Sequence, residues 1–208
     1  MMSKRVNPPE PPWDIFIVRF PAFCEMLKHE SERGSVIVGA VLLDEALEQL
    51  LKRKLVPSPE KSDELFKGSY APLASFSAKI DFAYRVGIIG LHRRSSLHII
   101  RKLRNDFAHS SLQISFESQK VHNKVQELFK LNKALLDLIW RTVEDAQEPA
   151  LIDLIGSSKA KHGVDYLIRI MGWKSTFEFL AAMITASLYT FEGDIEPIVS
   201  PDEVRNSR

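Results

Sequence analysis

Cysteine is nearly absent from this sequence. Cys24 is the sole one in 208 residues, so no disulfide can close within the chain, and a reducing cytoplasm is the expected setting. Long apolar runs are missing as well. The longest weakly charged stretch, Phe179 to Phe191, falls short of the about 20 residues needed to span a bilayer, so no membrane partner is expected. Nor is there an excess of charge: 28 Lys and Arg stand against 27 Asp and Glu, a formal +1. Proteins that grip duplex DNA need a basic face to displace counterions, and near-neutrality removes the simplest argument for one. Strand-like alternation, internal repeats and low-complexity tracts are absent too.

What remains is a composition able to build a core, with 45% hydrophobic and 26% charged residues in a length suited to one domain. Prolines at 8, 9, 11 and 12 predict a flexible arm over 1–12, polar rather than a signal segment. A helical bundle of about five to six helices is expected over 13–191, and a flexible tail over 192–208. The expected fold is therefore all-α and single-domain.

Helical spacing carries that expectation. A first helix opens near Trp13 or Pro21, with Gly34 expected to break or bend the chain before the next. Val36, Ala40, Leu43, Leu47 and Leu50 form one stripe of a helix reaching Leu55, where Pro57 and Pro59 stop it. Residues 58–72 read as loop, with Phe66 and Tyr70 packing back. Ser75 caps a helix over Phe76 to Ile89, closed by Gly90. Ser95 or Ser96 opens another over Leu97 to His109. A long helix follows from Ser115 or Ser118 and ends before Pro149. The last, about Val164 to Phe191, is apolar on more than one side, as a central or oligomer-forming helix would be.

Helical geometry at about 100° per residue places Arg104 inside the apolar stripe of Leu97, Ile100, Leu103 and Phe107, with Arg101, Asn105 and His109 on its rim. An arginine facing a core needs a partner, because it cannot shed its proton. The same construction puts Asp44 in the apolar arc of the Val36 to Leu55 helix, with Glu48 at its edge. An Asp44–Arg104 ion pair across the helix interface is therefore expected, fixing register. The functional alternative makes Arg104 a phosphate contact and His109 a proton carrier.

Three blocks, in order, resemble the mannitol operon repressor family: His29 to Glu45, Ala71 to Gly90 with a short break, and Ile-Arg-Lys-Leu-Arg-Asn-Asp-Phe-Ala-His at Ile100 to His109. The resemblance implies an all-α bundle and a cytoplasmic, non-enzymatic transcriptional regulator. It would act through a regulatory protein partner and lack a DNA-binding module of its own. No helix-turn-helix pattern or basic arm is found either, so no direct sequence-specific DNA binding is expected; homo-oligomerisation stays open. The same Arg104 to His109 run is similar to the Arg-x4-His motif of HEPN-type ribonucleases. That resemblance implies an alternative, RNA cleavage or nucleotide binding, with His109 as acid or base, Arg104 on phosphate and Asn105 orienting.

His29, His92, His98, His122 and His162 make no zinc-ligand spacing with Cys or carboxylates, so neither metal nor cofactor is expected. The densest basic patch is Arg93, Arg94, Arg101 and Lys102 with His92 and His98. It reads as solvated helix surface or as a contact for nucleic acid or an acidic partner.

Overall fold

The computed structural model describes residues 13–109, 114–146, 163–191 and 195–200. They form six helices and no strand: α1 (Trp13–Lys28), α2 (Glu32–Lys54), α3 (Phe76–Arg85), α4 (Leu91–His109), α5 (Gln119–Ala146) and α6 (Val164–Thr190). The expected arm, 1–12, and most of the expected tail lie outside the described residues.

Local sequence explains the starts. Ser31 accepts a hydrogen bond from the Gly34 amide at 3.0 Å, and Ser75 accepts one from Ala78 at 3.2 Å; each satisfies a donor that the first helical turn leaves unpaired. Gly34 thus lies inside the first turn of α2 rather than breaking the chain before it. α1 starts at Trp13 and carries Pro21 in its interior. α3 stops at Arg85, short of Ile89, because Gly87 turns the chain at φ 77°. α4 then begins six residues before the expected Leu97, and Ser96 is an interior residue whose hydroxyl bonds the His92 carbonyl at 2.9 Å.

α6 is the axis of the bundle. Every residue from Thr176 to Thr190 is buried, against α1, α2 and α5. α1 contributes Phe16, Phe20, Phe23 and Leu27; Phe20 meets Phe179 edge-on at 5.4 Å and Phe23 stacks on Tyr189 at 5.9 Å. Gly39 of α2 lies where an added Cβ would touch Ala181 at 3.5 Å, so the two helices approach closely there. Phe107, Phe116 and Phe177 run ring to ring at 5.5 Å spacing and tie the end of α4 to α6. α6 is kinked at Gly172, φ 79° and ψ 174°, a backbone region that is essentially glycine's alone.

Phe66 of the 56–75 loop packs into the core, whereas Tyr70 is 99% exposed and does not pack back. Residues 195–200 return to α2: the Ile198 amide donates to the Lys54 carbonyl at 2.7 Å, and Lys54 Nζ donates to the Glu196 carbonyl at 2.8 Å.

Candidate functional site

The last turns of α4 divide their side chains among three environments. Leu103 and Phe107 are buried in the core. Asp106 turns to α5, where Lys120 Nζ approaches its Oδ2 at 3.0 Å and Lys124 also donates to that oxygen. Arg104 and His109 are exposed, and Arg104 Nη1 donates to Asn105 Oδ1 at 3.1 Å. Among the described residues no carboxylate lies within ion-pair distance of Arg104. The expected Asp44–Arg104 pair is therefore corrected. Angular position ranks a residue within its own helix but does not say whether a neighbouring helix covers it, and at Arg104 none does.

The cation that meets Asp44 comes from α3. Lys79 is buried, with its Nζ 2.7 Å from Glu48 Oε2 and 3.0 Å from Asp44 Oδ1. The Glu48 contact is a directed hydrogen bond; the Asp44 contact is an ion pair without that alignment, and Asp44 Oδ1 accepts no hydrogen bond among the described residues. Lys52 also binds Glu48, at 2.6 Å. Burial raises the Asp44 carboxyl above its ordinary range despite Lys79. For Lys79, burial alone would favour loss of the proton, but Glu48 and Asp44 together outweigh it and hold the ammonium more firmly.

Along the outer side of α4, Arg94, His98, Arg101, Asn105 and His109 follow one line, within about 80° of arc and roughly 22 Å long at helical rise. Arg94 donates to Asp81 Oδ1 of α3 through Nε at 2.8 Å and Nη2 at 2.6 Å. His98 Nε2 lies 3.1 Å from the same oxygen, and Arg101 Nε lies 3.4 Å from His98 Nδ1. With Arg101 donating to Nδ1, the ring proton belongs on Nε2, facing Asp81. The His98 hydrogen bond, followed by Arg94, holds the Asp81 carboxyl below its usual range against a smaller opposing effect of burial.

The basic patch expected from sequence divides accordingly. Arg94 and Arg101 share the outer line through His98, and Lys102 is exposed nearby. Arg93 turns the other way and donates to Asn132 Oδ1 of α5 at 3.1 Å. His122 is half-buried, stacked on Trp173 at 3.8 Å and bonded to the Phe116 carbonyl at 2.6 Å. Burial, reinforced by Glu178 and Glu25, pushes the Cys24 thiol up to about 12, which leaves it protonated and a poor nucleophile at neutral pH.

Lys79, Asp81 and Asn132 went unnoticed in the sequence. Lys79 carried a signal: it shares about 100° of arc with Phe76, Ile80 and Ala83, all on the inner side of a short helix. Asp81 and Asn132 carried none, because each is a polar residue on an amphipathic helix until its cross-helix partners are known.

Among the described residues no group of three or more His, Cys, Asp or Glu is placed to hold a metal ion, and no helix is long and apolar enough to cross a membrane. Compared with protein-family models, with curated proteins and with solved structures, the chain matches none.

Proposed function

We propose that this chain is a non-enzymatic regulator of the mannitol operon repressor type, working by contact with a protein partner that presents acidic groups to the outer face of α4. The observation that carries the reading is the line Arg94, His98, Arg101, Asn105 and His109, half-buried except for the exposed His109, with Arg104 exposed beside it and bonded, among the described residues, to Asn105 alone. Two of the arginines are already oriented, Arg94 by Asp81 and Arg101 by His98, so little side-chain freedom is lost on docking. Support for the regulatory class comes from the three sequence blocks; the α4 face supplies the contact surface.

The test is affinity capture from the native host with the intact chain and with an Arg101→Glu/Arg104→Glu variant. A partner retained by the first and lost by the second, with binding that weakens as salt rises, supports the reading. Equal capture by both overturns it.

RNA cleavage is the second reading, favoured by one observation: Arg104 and His109 are both exposed on the same helix end. Under it, the intact chain cleaves RNA and the Arg104→Ala and His109→Ala variants stay folded but inactive. Absence of cleavage by the intact chain removes this reading.

A further inference from the structure

Arg93 is a cation in an apolar setting. It lines a half-open cavity of about 350 Å³ whose apolar wall includes Leu50, Ile88, Leu131, Leu135 and Leu188. Asn132, its hydrogen-bond partner, is buried and held at three points: Oδ1 accepts from Arg93, while Nδ2 donates to Ser96 Oγ at 2.9 Å and to the Leu128 carbonyl at 2.7 Å. Ser96 in turn donates to the His92 carbonyl. The network fixes the guanidinium through Nη1 and leaves Nε and Nη2 without a hydrogen bond among the described residues.

No carboxylate pairs with Arg93 among the described residues, although Arg94, the next residue, has Asp81. Burial lowers the Arg93 guanidinium to about 10, so it still carries its charge at neutral pH. Arg93 is half-buried, so its charge is hydrated only in part and gains from an anionic partner, and ligand pockets commonly combine apolar walls with a few fixed polar groups. The free Nε/Nη2 edge of an arginine matches a planar oxyanion with two parallel hydrogen bonds. At roughly 30 Å³ per water-sized atom, the cavity holds about a dozen non-hydrogen atoms: a headgroup and a short hydrocarbon body.

We propose that this cavity binds a small amphiphilic carboxylate, its headgroup on Arg93 and its hydrocarbon chain against Leu131, Leu135 and Leu188. The site is separate from the α4 outer face and does not rest on the function proposed there.

Titration calorimetry of the full chain with octanoate, octanol and octylammonium tests it. Octanoate is expected to bind saturably, one per chain, at least tenfold more tightly than either neutral or cationic analogue. Arg93→Met should remove that preference, Arg93→Lys should retain part of it, and Leu135→Trp should block binding by filling the cavity. Circular dichroism checks the fold of each variant; should Arg93→Met not fold, the Lys and Trp variants decide. No saturable octanoate binding, equal affinity for octanol, or affinity unchanged by these substitutions overturns the proposal.

Discussion

At the scale of single residues, Lys79 does for α2 and α3 what Arg104 was expected to do for α2 and α4. Its buried ammonium reaches across from α3 to two carboxylates that lie one turn apart on α2, both only half-buried. Lys79→Met should lower unfolding stability by about 2 to 3 kcal/mol, somewhat under the cost of breaking a fully buried pair because both carboxylates keep some contact with water. Urea denaturation measures this, and adding Asp44→Asn and Glu48→Gln should recover most of the loss. A Lys79→Met loss under ~0.5 kcal/mol would show that the carboxylates need no cation. Arg104→Ala, by contrast, should change stability by no more than about 0.5 kcal/mol, so any effect it has on partner or RNA binding can be read without a folding correction. The sequence carried the need for a buried cation, through Asp44. It did not name the right one, since Arg104 and Lys79 both fall within apolar arcs and only the packing of α3 on α2 separates them.

At the scale of elements, all six helices were legible from spacing, and their ends less so. Apolar repeats identify a helix over several turns, while an end depends on one or two residues. Ser96 looked like a cap, yet its hydroxyl serves the interior of α4 and the Asn132 network, so the N-terminal turns of α4 went unseen. The kink of α6 was also invisible: Gly172 sits amid helix-compatible residues, and only the backbone reveals φ 79°. An added Cβ there meets nothing within 4 Å, so substitution is penalised by backbone conformation alone. Gly172→Ala should cost about 1 to 3 kcal/mol, read from the denaturation midpoint, unless α6 straightens. Straightening would displace Trp173 from His122 and change the tryptophan fluorescence. An unaltered midpoint together with unaltered fluorescence would contradict a constrained kink.

At the scale of the whole molecule, carboxylates pull stability in opposite directions with pH. Asp81 titrates low chiefly through His98, with Arg94 adding to it. In Asp106, Lys124 and Lys120 outweigh burial, and in Glu48, Lys52 and Lys79 do so. Each contributes stability that is present above the ordinary carboxylate range and is lost as pH falls through the depressed folded value. Burial raises Glu178 despite Lys174, and raises Asp44. Their contributions are present below the ordinary values and are lost as pH rises through the raised ones. Glu178→Gln removes one of these losses, so stability should fall less as pH rises just above the ordinary glutamate value of 4.5. Denaturation midpoints from pH 4 to 7 measure the slope; an unchanged slope would mean that Glu178 titrates alike in the folded and unfolded chain.

The burial of α6 also has a consequence for biosynthesis. Its core half, Thr176 to Thr190, is the surface on which α1 and α2 close, yet it leaves the ribosome after them. At roughly 5 to 20 residues per second, α2 waits on the order of ten seconds for the helix it encloses. Throughout that interval Phe20, Leu27, Leu43 and Leu47, all fully buried once folding is complete, have no central helix to cover them. The nascent chain is therefore a natural client for a chaperone that holds exposed apolar helices, and it should become protease-resistant only when α6 has emerged.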